Sequence, residues 1–163
     1  VCSERERIIH LVECRTIVAK FWQPLAQVMR DMGMTVPVGH LDRKAFWLLG
    51  RINARKVVDS NQAGMMFIAW RCLYAEIVHS RVDQVPMKVE RAYNRLWQMV
   101  ITRLKAEGEK WNLWHRRNRY SGKKSWFPRK HQRKIVMKFT DTAEYTINPR
   151  ILREYESSRR PDT

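Results

Sequence analysis

The chain has 163 residues, enough for one domain around a single hydrophobic core but not for two full-sized domains. Lysine and arginine number 32 against 16 aspartates and glutamates, which gives a formal net charge of +16. Because 44% of the residues are hydrophobic, the composition excludes a wholly disordered basic tail. This excess of positive charge predicts a polyanionic partner, either nucleic acid or an anionic membrane surface.

The sequence predicts neither a membrane-spanning helix nor a metal centre. The longest uninterrupted apolar stretch, from Ala63 to Trp70, is far shorter than the roughly 20 residues that cross a bilayer. The cysteines Cys2, Cys14 and Cys72 form no CxxC pair, which argues against a disulfide framework or a zinc knuckle and favours a reducing compartment. His10 lies one helical turn before Cys14, but a lone pair at this spacing is more typical of a buried helix face than of a metal site.

Apolar residues at intervals of three and four predict a mainly α-helical body, a small helical bundle. The first helix runs from Ser3 to about Trp22 and opens with a capping box formed by Ser3 and Glu6. It should kink or restart at Pro24 and end near Gly33, before a connector over 34–40.

Three more helices are expected in the body. The second spans Asp42 to Val58, and its buried stripe consists of Ala45, Leu48, Leu49 and Ile52. Its outward basic residues form either a second contact surface or an ordinary solvated face: Arg43, Lys44, Arg51, Arg55 and Lys56. The third runs from a cap at 59–61 through His79 and has so little polar face that it should lie at the centre. The fourth runs from Val89 to Leu104 and towards Trp114, with Pro86 at its start.

The sharpest change in composition follows the fourth helix. From Lys110 to Thr140 the chain has 11 Lys and Arg residues and no Asp or Glu, which leaves a net charge of only +5 elsewhere. We therefore divide the chain into a helical body over 1–110, a basic aromatic extension over 111–134, and a C-terminal part over 135–163.

The extension alternates basic groups with aromatic rings. Cations neutralise phosphates and release counterions, and planar rings stack on unpaired bases, so this mixture predicts binding to irregular RNA rather than to smooth duplex. For any single tryptophan, such as Trp111, packing against the helical core is the simpler interpretation, whereas the uncompensated charge of the whole segment favours a polyanion. The predicted RNA-binding residues are Arg116, Arg117, Arg119, Tyr120, Lys123, Lys124, Trp126, Arg129, Lys130, Arg133 and Lys134.

The C-terminal part shows a hairpin pattern and a helix start. Residues 134–139 and 144–147 alternate in polarity like two short strands, which predicts a β-hairpin. Asn148 and Pro149 are typical of the N-cap and first position of a helix, which we expect to run through Tyr155. The tail from Ser157 should fray.

No catalytic pattern is present in the sequence. The chain lacks GxxxxGK[ST], GxGxxG, HExxH and GxSxG, and its acidic residues are scattered rather than paired. We therefore predict a protein that is not an enzyme and that takes no cofactor, metal or small-molecule substrate.

One block carries a family resemblance. Residues Arg95 to Trp111, RLWQMVITRLKAEGEKW, are similar to the Leu-Trp helix of the mitochondrial relatives of ribosomal protein uL29, over about a tenth of the chain. That family continues with a second basic helix, whereas here the loop from Tyr120 to Lys130 intervenes, so no family residue is carried over. In its general composition, the chain resembles mitochondrial ribosomal proteins, including those of divergent protists such as kinetoplastids. It is small, helical and rich in Trp and Arg.

This resemblance implies a non-catalytic constituent of a ribosomal subunit in the mitochondrial matrix. Its extension would lie along rRNA, and its body would touch neighbouring ribosomal proteins. The first residue is Val1, which fits an organellar precursor whose presequence has been removed, and equally fits a trimmed chain.

Two other functions stay open at this point. An accessory subunit of a mitochondrial membrane complex, such as ATP synthase or a respiratory assembly, is also typically small, helical and basic. A free RNA-processing or assembly factor would have the same composition. Salt separates the first of these from an RNA-held subunit, because contacts to phosphates weaken steeply with ionic strength and apolar helix contacts do not.

Overall fold

The computed structural model describes residues 7–118, 135–139 and 144–160. The fold is mainly α-helical with one two-stranded antiparallel sheet and a C-terminal helix, as the sequence predicts. In chain order, its elements are α1 (Ile8–Glu13), α2 (Arg15–Ile17), a π-helical segment (Val18–Trp22), α3 (Gln23–Asp31), α4 (His40–Leu49), α5 (Ser60–Val82), α6 (Val89–Asn118), β1 (Met137–Phe139), β2 (Tyr145–Ile147) and α7 (Pro149–Ser158).

The first predicted helix is interrupted twice. Cys14 leaves the helical conformation with ψ at 120°, which ends α1, and the π-helical segment then precedes α3. Pro24 has no N–H to donate to an earlier carbonyl, and it follows the π-helical segment directly. Trp22 and Gln23 keep right-handed helical angles, so the helix does not restart at Pro24 as expected but continues through it, and it ends before Gly33, whose φ is +85°. The capping box expected at Ser3 and Glu6 lies outside the described residues.

The second predicted helix is wrong in its length and partly wrong in its buried face. α4 ends at Leu49 because Gly50 adopts the left-handed conformation, with φ at +66°, which favours glycine at a helix end. The chain then forms a loop, which an antiparallel bridge between Arg51 and Val57 closes. Phe46 and Trp47 of α4 are buried, whereas Leu49, expected in the stripe, is 68% exposed. Ala45, Leu48 and Ile52 are only partly buried.

The predicted third helix does lie in the core, as α5. Its N-cap is Asp59, whose Oδ1 accepts a hydrogen bond from the Gln62 N–H at 2.8 Å. α5 packs mainly along α6, and the residues it buries are Gln62, Met65, Met66, Ile68, Ala69, Cys72, Leu73, Glu76 and Ile77. The two long helices therefore form the centre on which the shorter elements pack.

Three tryptophans join the N-terminal helices to α5. The ring centre of Trp22 lies 4.5 Å from that of Trp47 on α4 and 5.0 Å from that of Trp70 on α5. The Trp22 Nε1–H donates to the Leu11 carbonyl at 2.8 Å, and the Trp70 Nε1–H donates to the Trp47 carbonyl at 3.0 Å. The indole donors of Trp22 and Trp70 are thus satisfied by backbone acceptors on α1 and α4, which fixes these helices against the cluster.

A buried carboxylate links α5 to the start of α6. Glu76 is 1% exposed and accepts two hydrogen bonds from the Arg91 guanidinium, at 2.6 and 2.9 Å. It also accepts the Lys88 N–H at 3.0 Å, one of the donors that the beginning of α6 leaves free. Burial alone would raise the pKa of Glu76, but these hydrogen bonds outweigh it and hold the pKa below its ordinary value. The carboxylate therefore stays charged and fixes the register between the two helices.

The small sheet packs against the second half of α6 at a glycine. β1 and β2 pair antiparallel, with Phe139 opposite Tyr145 and Met137 opposite Ile147, which confirms the predicted hairpin. The Tyr145 ring lies where a Cβ on Gly108 would be, because its ring carbons are too close to that position to leave room for one. Gly108 therefore allows the close approach of Tyr145 to the helix, although glycine is intrinsically poor in a helix interior.

Replacing Gly108 by alanine should loosen this packing. We expect Gly108→Ala to lower the free energy of unfolding by about 1 to 3 kcal/mol, because overpacking exceeds the gain in helix propensity. Gly64→Ala is the matched control, since Gly64 also lies inside a long helix and its added Cβ would meet nothing within 4 Å. That control should raise the free energy of unfolding by about 0.5 to 1 kcal/mol in urea titrations. Equal stabilisation by both changes would contradict the contact between Gly108 and Tyr145.

Candidate nucleic-acid interface

The acid-free stretch begins inside α6. The helix continues to Asn118, so Arg116 and Arg117 lie in its last turn. The other nine predicted RNA-binding residues lie outside the described part of the chain: Arg119, Tyr120, Lys123, Lys124, Trp126, Arg129, Lys130, Arg133 and Lys134.

The chain is anchored to the body before the extension. Trp111 is 2% exposed, and its ring centre lies 5.1 Å from that of Phe139 on β1. Trp111 therefore belongs to the packed interior and is not available for stacking on bases, although the sequence places it among the basic residues. Packing of Trp111 against the helical core, the simpler interpretation of a single tryptophan, is therefore confirmed.

The chain is anchored again where the extension returns. The Asn148 side-chain Nδ2–H donates to the Ile135 carbonyl at 2.7 Å, and the Asn148 backbone N–H donates to the Val136 carbonyl at 2.9 Å. Its Oδ1 accepts the Arg150 N–H at 2.9 Å, which confirms Asn148 as the N-cap of α7. One asparagine thus caps a helix and holds the residues that follow the extension.

In the sequence, residues 119–134 lie between α6 and β1. These two elements belong to the folded body, and β1 packs against α6 through Phe139 and Trp111. A basic segment held at both ends loses less conformational entropy on binding than a free tail does, because its ends are already ordered. A segment tethered at both ends in this way can bind a polyanion from a folded platform.

The body has a second basic feature, which we name the basic cleft. It is a cavity of about 720 Å³ between the segment from α1 to α3 and the facing helix α4. Four cationic side chains line it, Arg15, Arg30, Arg43 and Lys44, and the lining carboxylate is Glu13, which forms an ion pair with Lys44. The apolar lining consists of Val12, Val18, Trp22, Ala26, Val38 and Trp47.

The sequence did not predict the basic cleft. Arg43 and Lys44 were expected on the outward face of the second helix, together with the basic residues of positions 51–56. In the structure, the first two line the cleft, while Arg51, Arg55 and Lys56 are exposed in the loop after α4. These two groups are separated because α4 ends at Gly50. That glycine is the one local feature of the sequence that indicates where the helix ends.

An apolar row lies exposed along α5. Phe67 is 61% exposed, and Tyr74, Val78 and Val82 follow it at intervals of seven and four residues, which places all four on one helix face. Rows of this kind on a protein surface are typical of contact sites for other proteins. We name these four residues the apolar row.

The described residues offer no metal or membrane-spanning feature. Among residues 7–118, 135–139 and 144–160, no three His, Cys, Asp or Glu side chains are grouped as ligands of one metal ion. No helix in the same part of the chain combines the length and the apolar character that crossing a bilayer requires.

Comparisons with protein families, with curated protein sequences and with solved structures found no match to this chain.

Proposed function

We propose that this chain is a non-catalytic constituent of a mitochondrial ribosomal subunit that binds rRNA through its basic aromatic extension. The observation that carries the proposal is the acid-free stretch from Lys110 to Thr140, which has 11 basic residues and begins in α6 and includes β1, two elements of the folded body. No carboxylate within the stretch compensates these cations, and RNA phosphates would supply complementary charge at regular intervals.

The folded body supports the second half of this proposal, contact with neighbouring proteins. The apolar row on α5 is left uncovered by the rest of the described chain, although the opposite side of the same helix is buried. Val82 has 74% of its surface exposed, and burying that surface against apolar groups of another protein would stabilise a complex. The matrix is the expected location, in keeping with the ribosomal resemblance.

The same row favours a second candidate, an accessory subunit of a mitochondrial membrane complex. Such a subunit would be held mainly by apolar contacts between helices, with α5 facing its neighbour. The two candidates therefore differ in the force that keeps the chain in its complex.

Sedimentation of the native complex at increasing ionic strength separates them. We expect the chain to sediment with rRNA at low salt and to dissociate between about 50 and 200 mM added salt, where six to ten phosphate contacts lose roughly 10³- to 10⁵-fold in affinity. Ribonuclease treatment should also release it. A chain that stays in a complex free of rRNA, at high salt and after ribonuclease, would contradict the ribosomal proposal and favour the membrane complex.

A further inference from the structure

We propose that the basic cleft is a docking groove for an acidic amphipathic helix of a neighbouring protein. The inference deepens the proposed function, because it gives the chemistry of one protein partner. The docking inference depends on the proposed function in one respect only, which is that the chain works as part of an assembly.

The walls of the cleft determine the form of the occupant. Helices α1, α2 and α3 and the π-helical segment line one side, and α4 lines the other. The lining includes no strand, so an extended peptide could not add to a sheet edge there. A helix laid between two helical walls is the recognition mode that this geometry allows.

The apolar lining favours a protein over RNA. Val38 at the connector is 81% exposed and Val18 is partly exposed, so both offer aliphatic surface to a partner, whereas Val12 and Ala26 are buried. The cleft tryptophans Trp22 and Trp47 are only 2% and 4% exposed, so they present no ring face on which a base could stack. Apolar side chains of a partner helix would cover this surface, as in other grooves that bind amphipathic helices.

The charges at the cleft require an acidic partner. Lys44 is already paired with Glu13, and Arg30 donates to the Pro37 carbonyl at 3.4 Å. Arg15 and Arg43 have no carboxylate partner among residues 7–118, 135–139 and 144–160. Two unpaired guanidinium groups beside an apolar floor are complementary to a helix whose apolar face is flanked by carboxylates.

A second copy of this chain does not meet that requirement. Every described helix of eight residues or more is neutral or positive, counting Lys and Arg against Asp and Glu. Docking any of them into the basic cleft would bring like charges or unpaired cations together. The occupant is therefore a helix from a different protein.

Photo-crosslinking in the native assembly tests this directly. In the full chain, Val38 is replaced by the crosslinking amino acid p-benzoylphenylalanine, and the isolated assembly is irradiated. Mass spectrometry should identify a crosslinked segment of another protein in which Asp and Glu outnumber Lys and Arg around apolar residues. The double change Arg15→Glu and Arg43→Glu should lower the crosslink yield by about tenfold or more. The matched control, Arg51→Glu with Arg55→Glu, reverses two exposed arginines outside the cleft and should change it by less than about twofold.

Several outcomes would overturn the docking proposal. These are a crosslink to RNA, to lipid, to a second copy or to a basic segment, and the absence of any crosslink from an assembly that contains the chain. Equal yields from the cleft variant and the control would do the same. If the assembly lacks rRNA but the crosslink reaches an acidic helix, the ribosomal proposal fails and the docking proposal stands.

Discussion

Met66→Asp should abolish cooperative unfolding of the chain. Met66 is 5% exposed on the buried side of α5, where an aspartate would have no partner prepared for its charge. An uncompensated buried charge costs about 3 to 5 kcal/mol, which is comparable with the total stability of about 5 to 15 kcal/mol of an ordinary domain. Thermal melting followed by circular dichroism should show a broad, low-amplitude transition for this variant.

The neighbouring residue provides the control. Phe67 follows Met66 in the same helix but belongs to the exposed apolar row, so Phe67→Asp should change the free energy of unfolding by less than about 1 kcal/mol. Ile68, 6% exposed, should behave like Met66 when changed to aspartate. Cooperative melting retained in Met66→Asp and in Ile68→Asp would show that the buried face of α5 is misplaced.

The pattern of apolar residues along a long segment was enough to predict the central helix of the fold. The third predicted helix has apolar residues on most of its surface, and that pattern correctly indicates a core helix. The N-cap at Asn148 was also predictable, because asparagine before proline has a specific local meaning at a helix start. Features fixed by local chemistry or by an extended pattern can thus be inferred from one sequence.

The helix interruptions were not predictable in the same way. Cys14 is neither glycine nor proline, and its residue type gives no signal for the extended conformation that ends α1. Tertiary packing decides this break, since the chain that follows must bring Trp22 against Trp47 and Trp70. Gly50 did carry a signal, but an isolated glycine inside an amphipathic pattern is compatible with both a continuing helix and its end.

The two candidate sites also differ in whether the sequence alone can predict them. The charge pattern of the extension is visible in the sequence because it is contiguous. The basic cleft combines Arg15 with Arg43 and Lys44, residues that lie on opposite sides of the connector and meet only when α1 packs against α4. Because these residues are far apart in the sequence, no contiguous pattern indicates the cleft.

Charge reversal at the start of the extension should prevent incorporation of the chain into its complex. The triple change Arg116→Glu, Arg117→Glu and Arg119→Glu removes three cations and adds three anions beside the proposed RNA contacts. If each lost contact costs about 1 kcal/mol, affinity for RNA falls by about 100-fold from the lost contacts alone, and repulsion lowers it further. Quantitative immunoblotting of purified particles should detect almost none of this variant, while its isolated melting transition stays cooperative.

A control with the same change in net charge isolates the effect of position. The control is the triple change Arg51→Glu, Arg55→Glu and Lys56→Glu. These residues lie in the exposed loop after α4, away from the extension in sequence and outside the basic cleft. This variant should be incorporated at close to the normal level. Normal incorporation of the triple variant at 116, 117 and 119 would mean that these arginines do not contact RNA in the complex.

The salt dependence of RNA affinity tests the central claim most directly. Binding of the full chain to a 20-nucleotide oligouridylate is measured from about 50 to 300 mM salt, and log affinity is plotted against log salt. Single-stranded RNA gives a slope of about −0.7 for each phosphate neutralised, so the triple variant at 116, 117 and 119 should have a slope shallower by about 2. The loop control should keep the slope of the unmodified chain. Identical slopes for all three proteins, or no measurable binding by the unmodified chain, would contradict a role of the acid-free stretch in binding RNA.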